Sequence, residues 1–245
     1  MFHSRSRHTS TRGRDSERGP GVGHRRGHPH GRRAAADDET RQRLLDAGRE
    51  LFAQSGFHHV TVRDICHAAR ANVAAVNYHF GDKFGLYMEI LRGGIALMTE
   101  TNEMARVAGQ GKPPEEQLRA YIKVFLERVA GKDRQSWLQR MMSHELATPT
   151  SALDVVFDEV IQPRLQYVGG IVSALLGCPQ DDPRVLRCVG SIFGQCQVYQ
   201  WHHIRDRLMA HKPFTPEKIE ELAHHVCEFS LAGIRNLAQH ARTTS

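Results

Sequence analysis

The sequence predicts an all-α protein, and three observations carry that prediction. Apolar residues recur at three- and four-residue spacing from Asp37 to near the C-terminus. No stretch alternates apolar and polar side chains for long enough to compete as a strand, and short breaks rich in Gly, Pro and Asn interrupt the stripes in the way that ends helices. With 245 residues, 40% of them apolar and 24% charged, the composition is that of an ordinary globular protein with one large core or two small ones.

Residues 1–36 read differently. They hold nine Arg against Asp15 and Glu17, a formal +7, which leaves −1 for the other 209 residues of a chain whose net charge is +6. A stretch this rich in Gly, Ser, Arg and His, with almost no apolar side chains, cannot offset the entropy of ordering its backbone and reads as disordered. Two readings stay open: an electrostatic arm that adds non-specific, salt-sensitive affinity for DNA, or a dispensable extension. The stretch has no apolar h-region of a secretion signal. No apolar run approaches the roughly 18 residues of a membrane span. The expectation is a cytoplasmic protein with no membrane partner.

The first helix places Leu44, Gly48, Leu51 and Phe52 on one face and ends at Ser55-Gly56. Thr61 begins a second helix with Asp64 in capping-box relation and Val62, Ile65 and Ala69 inward. Asn72 caps a short third helix whose Val73, Val76 and Phe80 share a face, leaving Ala74, Ala75, Asn77, Tyr78 and His79 mainly outward. Two short helices after a longer supporting one suit a helix-turn-helix whose last helix enters a DNA major groove. The alanines permit close approach and contact with a thymine methyl, Asn77 can pair with adenine, and Tyr78 and His79 can reach phosphate or base.

The stretch "LLDAGRELFAQSGFHHVTVRDICHAARANVAAVNYHFGDKFGLYMEIL" resembles the N-terminal domain of the tetracycline-repressor (TetR) family of bacterial transcription regulators. Further along, "HELATPTSALD", "IQPR", "GQCQVYQW" and "FTPEKIEELAHHVCEFSLAGI" resemble its CecR-like subgroup. The resemblance implies a DNA-binding domain over 37–97 and a regulatory and dimerisation domain over 98–245. It implies phosphate contacts from Thr61 and Lys83, and base or backbone contacts from Asn72, Ala74, Ala75, Asn77, Tyr78 and His79; Arg63 completes the candidate DNA-binding set. Asn77 stands where the family often has Tyr, and Arg70 where its turn usually has Gly.

A fourth helix over about Asp82 to Val107 leads to a loop at "GQGKPP" and a helix striped by Leu118, Tyr121, Ile122, Phe125 and Val129. Helices over Arg134 to Ala147 and Ser151 to Leu176 follow, the second with a kink expected at Pro163. After "GCPQDDP" come two long helices, about Pro183 to Ala210 and Thr215 to Gln239, separated by "HKPF". Such a bundle can enclose a small-molecule effector. Its candidate ligand residues are Trp137, Met141, Glu145, Arg164, Gln195, Tyr199 and His202, with Met142, His144 and Gln200 nearby in sequence. Gly190 and Gly194, with Ala232 and Gly233, mark a surface where helices of two subunits can approach closely, the four-helix homodimer interface that the resemblance implies. The alternative is that these glycines relieve crowding inside one subunit.

The sequence holds no Gly-rich phosphate loop, GxSxG elbow or HExxH, so an enzyme assignment has no starting residue. Adjacent His pairs diverge on a helix, unlike a zinc pair, and Cys66, Cys178, Cys188, Cys196 and Cys227 have no CxxC spacing. Neither metal nor cofactor is expected. The leading reading is a repressor that binds a palindromic double-stranded DNA operator as a homodimer and is released by a small molecule. The alternatives are a DNA-coating protein acting through its basic tail and a thiol-switched regulator using Cys178 with Cys188.

Overall fold

The computed structural model describes residues 29–130, 136–200, 207 and 215–243. The tail ahead of Pro29, Arg134, His202, the side chain of Val129 and the "HKPF" connection lie outside the described residues. Within them the elements are α1 (Pro29–His59), α2 (Val62–Ala69), α3 (Val73–Phe80), α4 (Lys83–Gly109), α5 (Pro114–Ala130), α6 (Ser136–Ala147) and α7 (Ala152–Val156). A π-helical turn (Phe157–Ile161) follows, then α8 (Gln162–Leu176), α9 (Pro183–Gln197), a 3-10 turn (Val198–Gln200) and α10 (Pro216–Thr243). Among the described residues there is no strand, and no helix is long and apolar enough to cross a membrane.

The chain divides into two units, Met1–Asp37 and Asp38–Ser245. Of the first, the described part is helical from Pro29, so regular structure begins ahead of the boundary the composition suggests.

In the second unit α1 breaks at Gly56, whose φ of 75° lies in the region open to glycine. This is the stop read from Ser55-Gly56. A Cβ there would also lie 3.1 Å from the ring of His144 on α6. Thr61 caps α2 as a complete box: its Oγ1 accepts from the Asp64 N–H at 3.2 Å, and Asp64 Oδ2 accepts from the Thr61 N–H at 2.9 Å. Asn72 caps α3 by accepting the Ala75 N–H at 2.8 Å. Between the two helices Arg70 closes α2 at φ 50°, ψ 46°, the sole non-glycine residue with positive φ among the described residues. The turn keeps the left-handed geometry that glycine adopts freely, with an arginine in its place.

Two apolar cores fill the unit. One gathers Phe52, Ile65, Val76, Leu86 and Tyr87 from the first four helices and is completed by Leu138 and Met141 of α6, Ala152 and Val156 of α7 and Val160 of the π turn. The other joins α5, α8, α9 and α10 around Leu118, Ile122, Val168, Val189 and Val226. A division at residue 97 therefore does not separate the cores, because α6 and α7 pack on the N-terminal helices. Four of the five residues in the α5 stripe (Leu118, Tyr121, Ile122 and Phe125) are buried as expected.

Two helices depart from the expected runs. Ahead of Pro163, Ile161 and Gln162 keep helical dihedrals, φ −73°, ψ −49° and φ −60°, ψ −47°. A proline cannot donate to the preceding turn, and here the turn ahead of it is widened into the π form. Helix α9 gives way to a 3-10 turn at Val198, short of the expected uninterrupted run.

Candidate nucleic-acid interface and regulatory cavity

Helix α3 buries Val76 completely and leaves Ala74, Asn77 and Tyr78 on the solvent side, with Tyr78 75% exposed. Ala75 and His79 are half-buried beside them, and the Tyr78 and His79 rings meet edge to face at 4.9 Å. Among the described residues the Asn77 amide makes no side-chain hydrogen bond, so both its donor and its acceptor are available to a base edge. Val73, expected inward, is 45% exposed, because its place in the first turn lifts it clear of the core. Thr61 and Arg63 are exposed at the start of α2, and the Thr61 cap holds the Asp64 carboxyl below the usual carboxylate range.

Lys83 is placed otherwise than on an open surface. Its Nζ donates to the carbonyls of Phe57 and Val60, each at 3.0 Å, and lies 4.1 Å from the centre of the Phe57 ring. Phe57 follows the break at Gly56 and Val60 lies past the end of α1, and the lysine at the start of α4 satisfies both carbonyls. Two of its three donors are thus engaged within the subunit.

A cavity of about 460 Å³ opens between α4, α5, α6, the π turn, α8 and α9. Leu138, Gln139, Met142 and Ser143 reach it from α6, while Leu138 and Met141 pack into the N-terminal core. Helix α6 therefore stands between the cavity and the DNA-reading helices. Gly94 of α4 lies against Leu138, whose Cδ1 would have to shift if a Cβ stood there. On α4, Asn102 donates to the Val160 carbonyl at 3.2 Å and accepts from Arg164 Nε at 2.9 Å, binding α4 to the π turn and to a guanidinium in the cavity wall.

The structure does not gather the expected ligand set in this cavity. Arg164 lines the cavity, with Met142 and Gln200. Met141 is core, and the buried Glu145 instead accepts from the Tyr87 hydroxyl and from the N–H and hydroxyl of Thr150. Trp137 packs on the N-terminal core beneath the Arg49 guanidinium. Gln195 donates to Ser230 Oγ in a separate groove between α9 and α10, and Tyr199 packs against the C-terminal core. His202 lies outside the described residues. Asn102, missed in the sequence, has a legible signal: it interrupts the inward row Ile95, Met98, Ala105 on α4.

At Gly190, Gly194 and Gly233 an added Cβ would meet nothing within 4 Å among the described residues. Crowding by those residues therefore does not explain them. Along with Ala232 they lie exposed on α9 and α10 beside Leu186, 65% exposed, and Phe229, 66% exposed. Burial raises the pKa of all five thiols, that of Cys196 to about 12, which keeps them protonated and weakly reactive. No metal-binding group of His, Cys, Asp and Glu occurs among the described residues.

Comparison with known proteins agrees with this geometry. Residues 44–90 match the tetR family of bacterial regulatory proteins, and residues 114–234 match the C-terminal domain of the HTH-type transcriptional dual regulator CecR. CecR of Shigella flexneri is 24% identical over 171 residues, covering 66% of this chain and 76% of that protein. The HTH-type transcriptional repressor AcnR of Corynebacterium glutamicum is 38% identical over 69 residues, 27% of this chain and 37% of that protein. In fold, a TetR-family transcriptional regulator from Streptomyces coelicolor aligns with a TM-score of 0.55 at 18% identity, covering 81% of this chain and 97% of the other. The fatty acid degradation regulator FadR from Bacillus halodurans aligns with a TM-score of 0.55 at 16% identity, covering 80% and 96%. With the reading helix inside one match and most of the cavity-bearing bundle inside the other, the chain belongs to the TetR family of transcriptional regulators and carries a CecR-type C-terminal domain.

Proposed function

We propose that the protein is a ligand-responsive transcriptional repressor that acts in the cytoplasm as a homodimer on a palindromic operator. The observation that carries this reading is the exposed row Ala74, Asn77 and Tyr78 on a helix fixed by the Asn72 cap and the buried Val76. A helix so held can enter the major groove with little backbone reordering. Ala74 lets it approach and contacts a thymine methyl, and Asn77 donates to and accepts from adenine. Thr61, Arg63, Tyr78 and His79 surround it with groups suited to phosphates, which set register without reading sequence.

A two-fold dimer through Gly190, Gly194, Ala232 and Gly233 places two such helices on half-sites about 10 base pairs apart, or a multiple of that. Release follows when an effector binds better to a state in which the two reading helices are mis-spaced, a coupling of about 1–3 kcal/mol in typical cases. The cavity reaches the reading helices through α6 and through Asn102 on α4. Footprinting the DNA that flanks the protein's own gene tests the reading. Two protected half-sites are expected; uniform coating without a boundary supports a DNA-coating protein instead.

A further inference from the structure

The described wall of the cavity is mostly apolar, with Met98, Phe125, Leu138, Met142 and Phe193 among its residues, and no carboxylate among the described residues lines it. Two cations do. Arg128 forms an ion pair with Glu100 at 3.2 Å. Arg164 has no carboxylate within ion-pair distance among the described residues: its Nε donates to the neutral Asn102 amide and its guanidinium lies 5.6 Å from the Phe125 ring centre. Its charge also works against the burial that raises the neighbouring Tyr121 phenol, so its field reaches into the bundle. Gln139 Oε1, reaching the same cavity from α6, is enclosed and has no hydrogen-bond partner among the described residues.

A half-buried guanidinium with no anion among the described residues, in a largely apolar wall, can offer its terminal N–H groups to a ligand's acid group in fork geometry. An apolar ligand alone would leave that charge and the Gln139 oxygen uncompensated on closure. A cation would meet repulsion from both arginines. We infer that the cavity takes an amphipathic anion, with a carboxylate or phosphate monoester paired to Arg164, an apolar body against Met98, Leu138, Met142 and Phe193, and a hydrogen-bond donor on that body preferred at Gln139. The volume of about 460 Å³ falls within the usual range for small-molecule sites. This rests on the reading of the cavity as the effector site, since Asn102 joins Arg164 to the helix that runs into the DNA-reading part.

The test is calorimetric titration of the full chain with decanoate, decyl phosphate, decanol and decylammonium below their aggregation thresholds. Decanoate, decyl phosphate or both bind about tenfold or more tightly than decanol, the least that a charge-assisted pair in a partly dry site contributes, and decylammonium binds most weakly. The better of the two anions identifies the acid group. Arg164→Gln removes the preference for the anion while decanol binding stays, and Arg164→Lys restores part of it. Phe193→Trp, which leaves the charge intact and takes up space, weakens every probe and covers the case in which Arg164→Gln fails to fold. Decanol or decylammonium binding as tightly as the anions, an anion preference unchanged in Arg164→Gln, or no binding of any probe overturns the inference. Titrating the same preparation with the flanking DNA separates the two readings: DNA binding without anion binding defeats the ligand class alone, and anion binding without DNA binding defeats the repressor.

Discussion

Tyr87 on α4 donates its hydroxyl to Glu145 on α6 at 2.5 Å, with both side chains buried. Burial, and then the bond to Glu145, push the phenol far above its ordinary pKa, so Tyr87 remains a donor wherever the protein is folded near neutral pH. The bond ties a helix of the DNA-reading part to the helix that walls the cavity. Tyr87→Phe leaves Glu145 short of a donor and should lower the unfolding free energy by about 1–3 kcal/mol. Urea denaturation reads this as a lower midpoint at unchanged slope; an unchanged midpoint would show that the tie adds no net stability.

Arg70 holds the turn between α2 and α3 at a positive φ with no glycine to relax it. Arg70→Gly should therefore stabilise the protein by about 1 kcal/mol, a small increase in melting temperature. A fall would mean that the arginine side chain makes a contact worth more than the strain.

Gly194 is exposed with nothing among the described residues within 4 Å of its missing side chain, so Gly194→Trp probes the outer face of α9 and not the cavity. The variant should fold, with a native circular dichroism spectrum, yet sediment as a monomer at concentrations where the unaltered chain is a dimer. An unaltered dimer in Gly194→Trp would remove this face from the interface.

Cys196 contributes to alkaline sensitivity. Its thiol ionises near 9 when unfolded and only at about 12 in the fold, because burial disfavours the thiolate. The folded state binds that proton more tightly, so its contribution to stability is complete below about pH 9 and is lost as pH rises toward about 12. Comparing Cys196→Ala with the unaltered protein should show a shallower decline in stability over that window. Equal declines would contradict the assigned burial.

The two caps were legible in the sequence because capping is local: Thr61 with Asp64, and Asn72 with Ala75, lie three residues apart. The hydrogen bonds of Lys83 are not legible in the same way, because the carbonyls it satisfies belong to residues 57 and 60, whose closeness to the start of α4 only the packed fold reveals. The ligand set suffered from the same limit. On α6, apolar and polar residues occur on both sides, and periodicity cannot tell that Met141 and Glu145 turn toward the first four helices while Gln139 and Met142 turn toward the cavity. Gly190 and Gly194 were readable as small but not as outward.

Base reading by α3 is tested most directly at Asn77. Competition binding of the full chain to its footprinted site and to single-base variants should show that Asn77→Ala costs about 1–3 kcal/mol and abolishes discrimination at one base pair per half-site, leaving the others intact. Affinity and discrimination both unchanged in Asn77→Ala would contradict base reading by this residue.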